Sequence, residues 1–234
     1  MKKKKILSLG LTLFLLGCSS SGDPKIKAFL SNMDFSKTYE EVFSGEITDN
    51  FIRFDKNNVL VEAKRISIEF YKTDDFKDSY IDILTTYEDS STSKNNSNKV
   101  YTRLYEENSL FFKKTVVNEI ESSEEEISYE DFNSQFVSLF YKNDQVYKTG
   151  GYYYAEEFAV GLHGRSNFFT LDEENKTLTF EASDDDYFPD TSMYQKIVID
   201  ERGMLISCFQ NMNISTSGDN ATSEIKGVYN QITK

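Results

Sequence analysis

The sequence predicts a mainly β domain of the α+β class: a curved antiparallel sheet, or half-barrel, with a few short helices packed on its concave face. Three observations carry this expectation. Most of the chain after residue 58 alternates apolar and polar residues with the period of two that a half-buried strand requires. Only a few short segments show helical spacing instead. Beyond Cys18 the only cysteine is Cys208, so no disulfide framework holds the fold, and a chain of roughly 200 residues must bury its own core. No Pro/Gly linker divides residues 25–234, which are predicted as a single antiparallel β-sheet domain with a helical insertion.

The elements follow in order. The chain opens with Lys2 to Lys5, an apolar run from Ile6 to Leu16, and Gly17-Cys18. A basic head, an apolar core of about 7–15 residues and a small residue before the cut make a secretory signal. The run falls short of the roughly 20 apolar residues of a spanning helix. Leu15-Leu16-Gly17-Cys18 resembles the lipobox of bacterial lipoproteins. That resemblance implies that residues 1–17 are a removed signal peptide and that Cys18 receives a diacylglyceryl thioether. Residues 18–24 then form the lipidated cysteine and its Ser19-Ser20-Ser21-Gly22 tether. Each buried CH₂ of an acyl chain contributes about 0.8 kcal/mol, and two chains suffice for stable anchoring. The protein is therefore expected outside the cytoplasm, lipid-anchored to the outer face of the cell membrane.

Asp23 as cap and Pro24 at the first helical position start a short helix whose Ile26, Phe29, Leu30 and Met33 share a face. "VLVEAKRISIEFY" (59–71) places Val59, Val61 and Ala63 on one face and then shifts phase to Ile66, Ile68 and Phe70. A bulge near Lys64-Arg65 is expected to absorb the extra residue. Further strands are predicted at 80–88, 99–107 and 109–117, and after residue 175 in "KTLTFEA", "YQKIVID", "MLISCFQNMNIS" and "SEIKGVYNQI". Asp200 to Gly203 supplies a hairpin turn in which Gly203 is free to take positive φ. In the next strand Met204, Ile206, Cys208, Met212 and Ile214 are assigned to the buried face, making Cys208 a small buried hydrophobe.

The polar stretches 90–98 and 121–126 read as solvated connections. From Ser128, an N-cap with Asp131 three residues on, a helix runs to Tyr141. Phe132, Phe136, Leu139 and Phe140 form its apolar stripe. "YYYAEEFAVGL" (152–162) reads as a second short helix ending at Gly161.

The formal net charge is −13, and loss of residues 1–17, with four lysines and no acid, takes it to −17. Such a charge repels phosphate polymers, so nucleic acid is not an expected partner. It also keeps an exported domain soluble and monomeric, and leaves cationic partners, metal ions and neutral ligands open.

The sequence predicts no enzyme and no cofactor. His163, the single histidine, sits in "GLHGR" and reads as a loop residue; no Cys–His, H-E-x-x-H, G-x-S-x-G or phosphate-loop pattern is present. Among 39 acidic residues no acid–base pair stands out from the background. Asp184, Asp185, Asp186 and Asp190 of "DDDYFPD" offer hard oxygen ligands suited to Ca²⁺ but lack EF-hand spacing and its glycine. They read first as a charged turn between strands, and no metal is assigned.

The 19 Phe and 15 Tyr are more suggestive, because a helix laid across a curved sheet leaves room for an apolar cavity beneath it. This places candidate ligand contacts at Phe132, Phe136, Leu139 and Phe140 on the helix and at Ile66, Ile68 and Phe70 on the sheet.

The order of elements runs anchor, short helix, strands, mid-chain helical insertion, strands and the late "YQKIVIDERGMLISCFQNMNIS" hairpin. It resembles the half-barrel lipoproteins of the lipoprotein-carrier (LolA-like) and LppX/LprG-like group. The resemblance implies a curved sheet wrapped around helices with acyl chains held between them, and hence binding or transport of a lipid or lipopeptide. The carrier itself is soluble, whereas the anchor aligns this chain with the LppX-like branch. No family binding residue matches one to one.

The expected function is that of a non-enzymatic, lipid-anchored envelope protein binding or carrying a hydrophobic or amphiphilic ligand. The alternative is a surface module whose tyrosine-rich, acidic exterior binds another protein or a polysaccharide.

Overall fold

The computed structural model describes residues 24–32, 43–89, 96–140, 169–182, 191–215 and 218–231. These residues form helices α1 (Pro24–Asn32) and α2 (Tyr129–Phe140) and eleven strands. The first six strands are β1 (Phe43–Asp55), β2 (Leu60–Lys72), β3 (Tyr80–Asp89), β4 (Asn96–Glu107), β5 (Leu110–Val117) and β6 (Ile120–Ile127). After α2 come β7 (Phe169–Asp172), β8 (Thr177–Ala182), β9 (Thr191–Ile199), β10 (Leu205–Ser215) and β11 (Asp219–Gln231).

All eleven strands join one sheet in the order β6-β5-β4-β3-β2-β1-β11-β10-β9-β8-β7, and the sheet does not close. From β1 the chain meanders outward to β6, passes through α2 to the opposite edge at β7, and meanders back. β11 then pairs antiparallel with β1 from Phe43↔Gln231 to Asp55↔Asp219. The architecture is the predicted one: a mainly β, curved antiparallel half-barrel with short helices on its concave face.

Period-two alternation selects that face. Phe43 and Ile47 of β1, Ile66, Ile68 and Phe70 of β2, Ile81 and Ile83 of β3, and Leu104 of β4 are buried together. From the other half come Leu178, Ile197, Cys208 and Tyr229. Ile26 and Phe29 of α1 and Phe132, Phe136 and Leu139 of α2 complete this core. Gly45 permits the densest contact, since a Cβ there would lie 2.5 Å from the Phe70 ring and 2.4 Å from the Val228 carbonyl.

Local chemistry fixes the turns. Asn108-Ser109 and Asn118-Glu119 are two-residue connections with φ of 53°, 66°, 51° and 70°, the pattern of type I′ hairpins. Asp55 and Asp200 build two alike turns. Asp55 Oδ1 accepts the N–H groups of Asn57 and Val59 at 2.8 and 2.9 Å; Asp200 Oδ1 accepts those of Arg202 and Met204 at 2.8 and 2.9 Å. The hairpin at Asp200–Gly203 is as expected, with Gly203 at φ 83°.

Several expectations need correction. Lys64 and Arg65 pair in register with Phe51 and Asn50; the irregularity lies at Val61, because Arg53 faces Glu62 and Phe54 faces Leu60. Ala63 is thus buried on the face opposite Ile66, and Val59 stands exposed before the strand. In β10 a second irregularity at Ile206 leaves that residue exposed and buries both Met204 and Leu205, after which Cys208 falls on the core face as predicted.

Residues 121–126 are not a loop but belong to β6, where Glu124 and Glu125 face Lys114 and Lys113 of β5. An edge strand tolerates acids on both faces because its outer side stays in water. Residues 96–98 belong to β4. β1 and β7 had no predicted counterpart.

Cys18, residues 90–95, the segment 152–162, His163, and Asp184, Asp185, Asp186 and Asp190 lie outside the described residues.

Candidate functional site

The site is built around α2, which begins one residue after the edge strand ends. Ser128 caps it as predicted: its Oγ accepts the Asp131 N–H at 3.0 Å and donates to Asp131 Oδ2 at 2.8 Å. The apolar stripe then turns onto the sheet. Phe132 and Phe136 are fully buried with their ring centroids 5.3 Å apart. Phe76, from the β2–β3 turn, packs 5.7 Å from Phe132 and 5.5 Å from Phe136. It does so at φ 61°, a strained conformation for a bulky side chain. Phe111 closes on Phe132 at 4.7 Å. At the far end Tyr229 Oη donates to the Leu139 carbonyl at 3.2 Å, satisfying one of the acceptors that a helix C-terminus leaves open.

The structure therefore brings together Phe132, Phe136 and Leu139 with Ile66, Ile68 and Phe70 as one packed layer, Phe70 lying 5.9 Å from Tyr229. The side chain of Phe140 lies outside the described set. None of these residues lines the larger cavity of the concave face.

That cavity, of ≈ 610 Å³, lies beside α2 over β3 to β6 and opens to solvent on one side. Ile83, Leu104 and Ile127 supply apolar surface, with Thr85 and Thr102 among them. Lys113, Glu125 and Glu126 come from β5 and β6; Ser128, Asp131 and Gln135 come from the start of α2. Lys113 Nζ stands 3.7 Å from Glu125 Oε1. The α2 side chains that reach the cavity are thus the polar pair Asp131 and Gln135, each one residue before a buried phenylalanine. Reading the helix for its apolar stripe passed them over; their i, i+4 spacing was the signal.

A smaller cavity, of ≈ 200 Å³, lies between α1 and the turns after β7 and β9, where Lys25 pairs with Glu173. It is below the size of a ligand pocket, about 300–1,000 Å³.

The convex face carries a cross-strand row of Tyr71, Tyr80, Tyr105 and Phe112. Tyr71 stacks on Tyr80 at 6.1 Å and Tyr105 on Phe112 at 5.4 Å, with the Arg103 guanidinium 5.2 Å from the Tyr80 ring. The hydroxyls of Tyr80, Tyr101 and Tyr105 donate to Glu69, Asp82 and Glu124 at 3.0, 2.6 and 2.7 Å. The hydrogen bond to Glu124 raises the Tyr105 phenol above its ordinary value, and desolvation, then the bond to Asp82, raises that of Tyr101. On the concave face of β1, burial raises the Asp49 carboxyl, with the Lys64 charge opposing it.

Among the described residues no group of three or more His, Cys, Asp or Glu side chains is placed to hold a metal ion, and no helix is long and apolar enough to cross a membrane.

No family model matches the chain, and no curated protein matches it in sequence. Solved structures with similarity include a beta-barrel-like protein of a domain of unknown function, DUF1849, from Brucella abortus. It is 10% identical at a TM-score of 0.30, over 82% of this chain and 99% of that one. An S-type phycobiliprotein lyase from Guillardia theta is 11% identical at a TM-score of 0.22, over 90% of this chain and 100% of that one.

Proposed function

We propose that this chain is a non-enzymatic binding protein of the bacterial cell envelope, anchored through a lipidated Cys18, that holds an amphiphilic ligand on its concave face beside α2. The observation that carries the reading is the ≈ 610 Å³ cavity there, with an apolar floor of Ile83, Leu104 and Ile127 and a polar wall from β5, β6 and α2. Its volume falls within the range of small-molecule sites, about 300–1,000 Å³. Apolar surface on one side and charged groups on the other match a ligand with a tail and a head. The resemblance to half-barrel lipoproteins that hold acyl chains between sheet and helix points the same way.

The test is displacement of the neutral fluorophore N-phenyl-1-naphthylamine by monolaurin, a neutral single-chain amphiphile, on the purified chain. Saturable fluorescence that monolaurin abolishes is expected. Gln135→Trp, which fills the cavity from the helix side, should remove it while leaving the unfolding midpoint unchanged. Absence of any displaceable binding would overturn the reading. The row of tyrosines on the convex face, the surface an interaction module would present, would then be the place to look for a protein or polysaccharide partner.

A further inference from the structure

We propose that the head group received by this cavity is cationic, so that the ligand is a single-chain amphiphile bearing an ammonium group rather than a fatty-acid anion. The inference rests on the binding reading above and adds the charge of the ligand.

Two carboxylates face the cavity, Glu125 and Asp131, against one cation, Lys113; Glu126 borders it from the convex side of β6, in register with Phe112. That cation is already engaged, 3.7 Å from Glu125. A helix N-terminus ordinarily draws anions through its partial positive charge. Here Glu130 and Asp131 occupy the first turn of α2 and cancel that attraction. Asp131 also holds the Ser128 hydroxyl, so this donor is turned away from an incoming anion. A laurate head would meet net negative charge and could reach Lys113 only in competition with Glu125. An ammonium head would meet carboxylates and the hydroxyl oxygens of Thr85 and Thr102, all acceptors, while its chain covers Ile83, Leu104 and Ile127. The field of the whole chain acts in the same sense, since a net charge of −13 concentrates cations at its surface and repels anions.

The experiment compares three probes with the same twelve-carbon tail, dodecylamine, monolaurin and laurate, each below its micellar concentration, displacing N-phenyl-1-naphthylamine from the full chain at pH 7. Dodecylamine should displace at about tenfold lower concentration than monolaurin, and laurate should be weaker than monolaurin. Raising NaCl to about 0.5 M should shrink the amine's advantage, because charges near solvent are screened within a few ångströms there. In Glu125→Gln the advantage should fall to within about threefold while monolaurin is unaffected.

Equal or better displacement by laurate, or a preference for the amine that neither salt nor the Glu125→Gln variant moves, would overturn the charge assignment and leave the binding site standing. Failure of all three probes would overturn the site itself.

Discussion

Phe136→Ala tests whether the stripe of α2 is core or ligand surface. Phe136 is fully buried and does not line the cavity, so its ring fills space between α2, Phe76 and Phe132. Truncating a buried Phe to Ala costs about 3–5 kcal/mol through lost transfer energy and the void left behind. Two ring contacts go with it, at 5.5 and 5.3 Å, each contributing about 0.5–1.5 kcal/mol of that total. One term acts in the opposite sense. Phe76 is held at φ 61° by this packing, and strain of that kind is about 1–3 kcal/mol, part of which is relieved when the turn is free to move. The expected loss is therefore near the lower end, about 3 kcal/mol. Urea unfolding followed by far-ultraviolet circular dichroism measures it. With m of about 2 kcal/mol/M, the midpoint should fall by roughly 1.5 M. A loss below about 1 kcal/mol would refute the reasoning, because no well-packed Phe is removed so cheaply. It would mean that the stripe faces open space and that the ligand surface lies there.

Three further outcomes are expected. Burial raises the Asp49 carboxyl above its ordinary 3.8, so the folded chain binds the proton more tightly than the unfolded one, and stability falls as pH rises from 3.8 through the raised value. Asp49→Asn should therefore be more stable than the parent at pH 7 and equal to it below pH 3.8; a less stable variant at pH 7 would show that the Lys64 pairing outweighs burial. Cys208 is buried and its thiol is pushed up to about 12, so a thiol reagent at pH 8 should modify it only after denaturation, and rapid native labelling would displace it from the core face. Cys18→Ala should abolish labelling by an alkyne fatty acid and release the protein from bacterial membranes; a variant still labelled and membrane-bound would remove the anchor from the reading.

What the sequence made legible depended on how strictly one residue class marked one face. The α2 stripe was readable because Phe132, Phe136 and Leu139 repeat at helical spacing between polar neighbours. β2 was readable from Ile66, Ile68 and Phe70. β1, at the centre of the sheet, was not: "FSGEITDNFIRFD" carries Gly45 and Asp49 at core-face positions, where a hydrophobe would have marked the strand. Gly45 is small because Phe70 lies across it, a tertiary reason no local pattern records. The turns at Asn108-Ser109 and Asn118-Glu119 lack glycine, which hid the second hairpin and left acidic β6 looking like a loop. The lining of the cavity was missed for a related reason. It is lined by the polar flank of the helix, and a search for apolar ligand contacts looks one residue too far round.

The acids of β6 connect the open sheet to the charge of its cavity. Among the described strands β6 is an edge, and an unpaired edge strand is a template for a second copy of the chain. Glu124 is engaged on the convex side by Tyr105 at 2.7 Å and by Lys114 at 3.5 Å, and Glu125 on the concave side by Lys113 at 3.7 Å. Both faces of the edge thus present carboxylates whose lysine partners sit on β5, leaving nothing to neutralise a second β6 laid alongside. An antiparallel pairing of two such edges would set like charges opposite each other, which is destabilising. Glu125 both discourages pairing and lines the cavity, so charge at this position carries two consequences at once. Glu125→Gln is accordingly expected to lower the preference for a cationic head and to promote self-association. The two effects separate by concentration: the loss of preference should be independent of protein concentration, while association seen by analytical ultracentrifugation should grow with it. A variant whose altered preference appears only in the associated form would show that the edge acts on binding through assembly, and not through the charge lining the cavity.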